Sequence, residues 1–124
     1  MIETVRVSEK AKSQLISLKR HTGIENWNTL CRWALVESLK DVREPPPEQI
    51  PLDSSVEMTW RTFAGGRERI YLSLIFNRAM KAGISLEPVS INQYFRLHLH
   101  RGISYLVTGP NALSLATLVK RALT

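Results

Sequence analysis

The sequence predicts a mainly α-helical protein, a variant of the ribbon-helix-helix architecture elaborated by further helices and short strands. Residues 1–43 show a short alternating strand followed by two amphipathic helical segments. Apolar residues at helical spacing return in residues 67–124. At 124 residues the chain fits one compact domain. We divide it into a strand-helix-helix unit (1–43), a proline-rich acidic connector (44–66) and a helical second half (67–124).

The predicted strand covers residues 4–7 and has one apolar face. Val5 and Val7 point inward, whereas Thr4 and Arg6 point outward, because side chains alternate along a strand. A single strand leaves its backbone groups unpaired. The pattern therefore predicts pairing either with the strand of a second chain, as in ribbon-helix-helix dimers, or with a later strand of the same chain.

Two helices follow the strand. Ser8 is the predicted N-cap of the first helix, and Gly23 ends it in a left-handed conformation. Asn26 caps the second helix, which runs to about Lys40. The residues predicted to face inward from the two helices are Ala11, Leu15, Leu18, Trp27, Leu30, Cys31, Ala34 and Leu35.

The remaining elements are separated by glycines and prolines. Residues 56–63 suggest a short strand, broken by Gly65 and Gly66. We predict a helix over 67–82 that is apolar nearly all round, and therefore either central in the domain or shared with another subunit. Further predictions are a helix over 92–101 stopped by Gly102, a strand over 103–107, a turn at 109–111 and a last helix over 113–123.

The charge is unevenly distributed along the chain. The formal net charge is +6. Residues 1–43 hold eight Lys/Arg against five Asp/Glu, residues 67–124 hold eight against two, and the connector is acidic. Two basic segments around an acidic connector favour a polyanionic partner, although basic residues that merely solvate helices would give the same pattern. Charge alone leaves both interpretations open.

The sequence predicts a cytoplasmic protein that does not enter a membrane. No apolar run approaches the length of a membrane span, and the first ten residues lack the apolar core of a signal peptide. Cys31 is the one cysteine, so no disulfide can form within the chain. Its apolar helical surroundings indicate a packed thiol.

No motif indicates an enzyme, a cofactor or a metal. His98 and His100 would share a face on a strand, as metal ligands do, but we predict a helix on which they diverge and are partly exposed. The loop of Gly65, Gly66 and Arg67 lacks the lysine and hydroxyl of a nucleotide-binding loop. No serine lies in a nucleophile elbow.

Basic residues in the strand and first helix are the candidates for a binding function. Lys12 and Lys19 are seven residues apart and so lie on nearly the same face, with Arg20 beside them. Arg6 and Lys10 extend this stripe towards the strand. Such side chains can contact successive phosphates without reading bases. An ordinary solvated helix face is the alternative.

The first third of the chain resembles a known family. It reads IETVRVSEKAKSQLISLKRHTGIENWNTLCRWAL, and within it TGIENWNTLCRWA, residues 22–34, is the most specific part. This segment is similar to the N-terminal half of DndE, the small component of the bacterial DNA phosphorothioation system. The resemblance implies a ribbon-helix-helix variant without catalytic residues that assembles as a homotetramer and binds duplex DNA, with a preference for nicked DNA. The partners it implies are a cysteine desulfurase, an iron-sulfur protein and ATPases.

The resemblance carries over to particular residues only in part. The predicted DNA contacts inside the matching segment are Arg6, Lys10, Lys12, Lys19 and Arg20. Arg67, Arg69 and Arg101 lie outside it and rest on charge alone.

Two other functions remain open. A protein-protein scaffold would use the apolar helix over 70–80 and the acidic connector. A ribbon-helix-helix repressor would read bases with its strand, for which only Thr4 and Arg6 point outward.

Overall fold

The computed structural model of the protein describes residues 2–108, which form a two-stranded sheet and five helices. The elements in chain order are β1 (Thr4–Arg6), α1 (Glu9–Thr22), α2 (Trp27–Lys40), β2 (Glu57–Thr59), α3 (Trp60–Ala64), α4 (Glu68–Lys81) and α5 (Pro88–Thr108). The predicted turn at 109–111 and helix over 113–123 lie outside the described residues. None of the helices within 2–108 is long and apolar enough to span a bilayer.

The N-terminal strand pairs within its own chain. β1 runs antiparallel to β2, with Val5 opposite Met58. Val5 and Val7 are buried while Thr4 and Arg6 are exposed, which confirms the predicted alternation. Of the two pairings that the sequence left open, the structure therefore shows the one with a later strand of the same chain.

The strand predicted over residues 56–63 was too long. β2 ends at Thr59, and α3 begins with Trp60. The hydroxyl of Thr59 accepts a hydrogen bond from the backbone N–H of Thr62 at 3.1 Å, which is the contact of a helix N-cap. Trp60 and Phe63 stack in α3 with ring centroids 5.0 Å apart, so the aromatic residues of this stretch enter the core from a helix.

The helices of the N-terminal unit agree with their sequence signals. Ser8 accepts a hydrogen bond from the backbone N–H of Ala11, and Gly23 has a φ of 76° and donates its N–H to the carbonyl of Lys19. Asn26 is at the N-cap of α2 but makes no side-chain capping bond. All the residues predicted to face inward are buried except Trp27, which is half-buried.

The predicted helix over 92–101 is confirmed, but its stop at Gly102 and the strand predicted over 103–107 were wrong. A single helix, α5, covers Pro88–Thr108 and runs through Gly102. A Cβ on Gly102 would lie 1.7 Å from the carbonyl oxygen of Ala34, so this glycine allows α5 to approach the backbone of α2 and does not end a helix. Ile103 and Leu106 continue the buried face begun by Leu99 at helical spacing. No strand forms over residues 103–107.

α5 and α4 differ in how fully the chain covers them. α5 packs along α2 and against α1 and α4, and it is the central helix of the described fold. α4 buries Ile75 and Ala79 but leaves Ile70 and Met80 each 56% exposed and Leu74 41% exposed. The predicted apolar helix over 67–82, with its stop at Gly83, is confirmed. It lies at the surface of the single chain and keeps several apolar side chains uncovered.

Candidate nucleic-acid interface

The first group of predicted contact residues lies at β1 and the start of α1. Arg6 is exposed and forms an ion pair with Glu57 on the neighbouring strand. Lys12 donates from Nζ to the hydroxyl of Ser55 at 3.0 Å and is half-buried. Lys10 is exposed and has no hydrogen-bond or ion-pair partner among residues 2–108. Two of these three cations already have an acceptor within the chain.

A second group lies where α1 ends. The ammonium of Lys19 is 4.0 Å from the centroid of the Trp27 ring, a cation–π contact that holds the side chain against the first turn of α2. Arg20 follows it and is exposed. Lys19 is half-buried, yet its charge is not neutralised, because the aromatic ring attracts a cation without carrying a formal charge.

A third group lies between α3 and α4. Arg67 occupies the N-cap position of α4 without making a side-chain capping bond, and Arg69 lies in its first turn. Both side chains are exposed, as is that of Arg61 in α3. Gly65 and Gly66 join the two helices with φ values of 61° and 86°, in the left-handed region that favours glycine.

The structure separates the predicted residues along α1 and brings some of them together. The side-chain amide of Asn28 donates to the carbonyl of Thr62 at 3.1 Å, which places the start of α2 against α3. Lys19 and Arg20 are therefore at the same end of the molecule as the α3–α4 junction. The other three predicted contacts lie at the opposite end of α1, with Lys10 and Lys12 near its start and Arg6 in the strand that precedes it.

Two other arginines stabilise the fold instead of presenting charge. Arg78 of α4 donates to the carbonyls of Leu39 and Asp41, at 2.9 and 2.6 Å. Arg101 of α5 donates from Nε to the Ser38 hydroxyl at 2.8 Å and from Nη2 to the Ser38 carbonyl at 2.7 Å. These carbonyls lie at the end of α2, where helix carbonyls lack intrahelical donors, and the arginines donate to them. The Ser38 carbonyl also accepts the backbone N–H of Asp41 at 3.1 Å. Arg101, suggested as a DNA contact by its charge, is therefore not available for one.

The carboxylates beside these arginines are also engaged. Asp41 accepts hydrogen bonds from Arg43 and Tyr105, and these hold the pKa of its carboxyl well below the usual range. Burial raises the pKa of Glu44, but hydrogen bonds from Tyr94 and Arg78 outweigh that effect and lower it. The part of the acidic connector that begins at Glu44 thus pairs with the helical body.

His98 and His100 both lie in α5, as the helical prediction required, but His98 is completely buried and not partly exposed. Its Nδ1 is 2.8 Å from the Ser38 hydroxyl. Burial, reinforced by the charges of Arg101 and Arg78, lowers the pKa of His98 to about 4. His100 instead accepts the backbone N–H of Ser8 at 3.1 Å, so the two imidazoles contact different elements.

Sequence reasoning missed the arginines and histidines that act inside the fold. Arg78 and His98 follow the helical period of their segments, but nothing in the sequence shows that the end of α2 passes beside them. The sequence analysis also assigned no role to Arg61, because that residue lies in a stretch interpreted as an acidic connector. Arg61 is only six residues from Arg67, and this short separation could have suggested that it belongs to the same group of cations.

Comparisons with known proteins agree on one family. The family model described as "DNA sulphur modification protein DndE" matches residues 4–114. A crystal structure of DndE from Escherichia coli B7A, involved in DNA phosphorothioation modification, has 22% sequence identity and a TM-score of 0.71, and the match covers 84% of this chain and 95% of that one. A double glycine-to-lysine mutant of DndE has 19% identity and a TM-score of 0.66, over 86% and 97% of the two chains. None of the curated proteins matches. The chain belongs to the DndE family of DNA sulphur modification proteins.

Proposed function

We propose that this protein is a non-catalytic DNA-binding subunit of the DNA phosphorothioation machinery, which holds duplex DNA through contacts between lysine or arginine side chains and phosphates. The observation that carries the proposal is the set of surface cations on a member of a DNA-modification family. Arg20, Arg67 and Arg69 are exposed, and no ion pair within residues 2–108 neutralises them. Such cations attract phosphates and displace their counterions.

The titratable groups support a role without catalysis. Burial raises the pKa of the Cys31 thiol to about 12, so at neutral pH it is protonated and a poor nucleophile. The imidazole of His98 is buried against Ser38 and Tyr94. These groups act in packing and hydrogen bonding, and their perturbed pKa values follow from burial and not from an open cleft.

We infer that the fold is a ribbon-helix-helix variant whose ribbon is completed by β2 of the same chain. β1, α1 and α2 keep the order of that architecture, and β2 supplies the antiparallel partner. Thr4 and Arg6 are the exposed residues of β1, and Arg6 is paired with Glu57. A strand with this little free polar surface favours backbone binding over sequence-specific repression.

The assembly and its partners form the second part of the proposal. We infer a homotetramer that prefers nicked duplex DNA and works in the cytoplasm beside a cysteine desulfurase, an iron-sulfur protein and ATPases. This part extends the resemblance of the N-terminal segment to DndE. The exposed apolar residues of α4 support self-association, because such side chains are normally covered in a stable assembly.

A protein-protein scaffold of the same machinery is the second candidate. Trp33 and Val36 on α2 are 37% and 38% exposed, and Ile70 and Leu74 add apolar surface on α4. Arg78 joins α4 to the end of α2, and at the start of α2 Arg32 joins that helix to the carbonyl of Phe63 in α3. These residues would form the working surface of a scaffold.

Reversing charges on α1 separates the two candidates. Lys19→Glu combined with Arg20→Glu should weaken binding to nicked and intact duplex, while the oligomer measured by light scattering stays intact. Lys40→Glu combined with Lys81→Glu, at the ends of α2 and α4, is the matched control. Unchanged DNA retention by the first variant, with a wild-type oligomer, would favour the scaffold.

A further inference from the structure

One end of the molecule collects elements that are far apart in sequence. Here α1 ends, α2 begins and α3 meets α4. Lys19 lies 4.0 Å from the Trp27 ring centroid, and the next residue of α2, Asn28, donates to the carbonyl of Thr62 in α3. Two adjacent contacts therefore join the basic end of α1 to the residue that follows Arg61.

The cations at this end outnumber the carboxylates. Those on α1 are Lys19 and Arg20, and those around the α3–α4 junction are Arg61, Arg67 and Arg69. The last three are exposed and form no ion pair in the part of the chain that the structure describes. Glu25 and Glu68 lie in the same segments and reduce this charge without cancelling it.

The turn between α3 and α4 is held by Arg32 on one side, and its other side is open. Arg32 of α2 donates from Nη1 to the carbonyl of Phe63 at 2.8 Å. A Cβ on Gly65 would lie 2.8 Å from the same Nη1, so a side chain there would displace the guanidinium. A Cβ on Gly66 would meet nothing within 4 Å. The backbone of the turn is thus held in place and accessible to a large partner.

The cations near the start of α1 are less free. Arg6 is paired with Glu57, and Lys12 donates to Ser55. Asp53 lies beside them, where it accepts the backbone N–H of Glu9 at 2.9 Å. An anion approaching this region would compete with acceptors that the chain itself supplies.

We propose that the end of the molecule formed by the last turn of α1, the first turn of α2, α3 and the start of α4 is the main surface for the sugar-phosphate backbone of DNA. Arg61, Arg67 and Arg69 are its principal phosphate contacts, beside Lys19 and Arg20. This inference rests on the proposed function and adds to it a location and a new contact residue, Arg61.

The test compares two double variants that remove the same charge from opposite ends of the molecule. Arg61→Gln with Arg69→Gln alters the proposed surface. Lys40→Gln with Lys81→Gln is the control, because Lys40 and Lys81 end α2 and α4 and all four side chains are exposed. Binding of each protein to a short fluorescent DNA duplex is measured by anisotropy over a series of salt concentrations, and the thermal unfolding midpoint of each is recorded.

The first variant should bind about tenfold or more weakly than wild type at low salt, and the slope of log affinity against log salt should fall by about 2, one for each lost phosphate contact. The control should keep most of the wild-type affinity. Equal losses in both variants would show that only net charge matters and would overturn the location, as would wild-type affinity in the first variant. Failure of the wild-type protein to bind DNA would reject the proposed function itself, and the two failures are therefore distinguishable.

Discussion

Gly102 shows how one residue decides the packing of two helices. Its Cα faces the backbone of α2, where a Cβ would lie 1.7 Å from the carbonyl oxygen of Ala34 and 2.4 Å from its carbonyl carbon. Backbone atoms cannot rotate away as a side chain does, so any other residue would force the helices apart.

We therefore expect Gly102→Ala to lower the free energy of unfolding by about 3 kcal/mol, although alanine is the better helix former. Urea denaturation followed by circular dichroism measures the change. Ser104→Ala, two residues along the same helix at a half-buried position, is the control and should change stability by under about 0.5 kcal/mol. Equal stability of Gly102→Ala and wild type would refute the close approach of α5 to α2.

His98 gives the fold a pH dependence. The folded protein keeps this imidazole neutral because its pKa is lowered to about 4, from 6.5. The unfolded chain binds a proton at the ordinary pKa, so unfolding takes up a proton below pH 6.5. Stability is full above that pH and is lost as pH falls towards 4, by roughly 3 kcal/mol in total. His100, whose pKa is also lowered by burial, contributes in the same direction.

Replacing His98 with glutamine should therefore flatten the stability profile between pH 6.5 and 4, whatever its effect at neutral pH. Ser104→Ala in the same helix provides the control, since it removes no titratable group and should leave the profile unchanged. Urea midpoints measured at several pH values test this. A His98→Gln profile as steep as that of wild type would show that another group titrates.

At the scale of helices and strands, sequence signals that depend on neighbouring residues predicted the bounds of elements correctly. Ser8 and Gly23 set the bounds of α1 because capping depends on neighbouring backbone groups. Gly102 was misleading because its role depends on Ala34, which is distant in sequence. The same limit applies to Arg61, whose neighbours on α1 and α2 are defined only by the folded structure.

The end of α2 is another feature that only the tertiary structure reveals. Two arginines from α4 and α5 donate to its last carbonyls, and their side chains are only 15% and 11% exposed. A buried carbonyl that lacks a donor lowers the stability of the folded state. These arginines should therefore contribute more to the free energy of unfolding than their number of ion pairs suggests.

Removing either arginine should destabilise the protein strongly. Arg78→Leu and Arg101→Leu are each expected to cost about 2 to 4 kcal/mol, because each removes several charge-assisted hydrogen bonds from a largely buried guanidinium to groups at the end of α2. Arg43→Leu is the matched control, since that side chain is 80% exposed and its loss should lower stability far less than the loss of either buried arginine. Thermal and urea unfolding would reveal the difference, and three equal effects would contradict it.

For the whole molecule, the exposed apolar side chains of α2 and α4 form the surface through which we propose that the chain self-associates. Ile70→Asp with Leu74→Asp should shift the protein to smaller species in light scattering at micromolar concentration, because it places charge on the face that a second copy would bury. Val42→Asp is the control, as Val42 is 90% exposed and lies outside the helices. A wild-type protein that is already monomeric would refute self-association.

The central claim is that surface cations of this DndE family member contact DNA phosphates. The most direct test is the affinity of the wild-type protein for nicked and intact duplexes as a function of salt concentration. We predict a linear fall of log affinity with log salt, with a slope of about −3 to −5 if four or five phosphates are contacted. Tighter binding to the nicked duplex is also expected. Affinity that does not change with salt, or no measurable binding at low salt, would contradict the account.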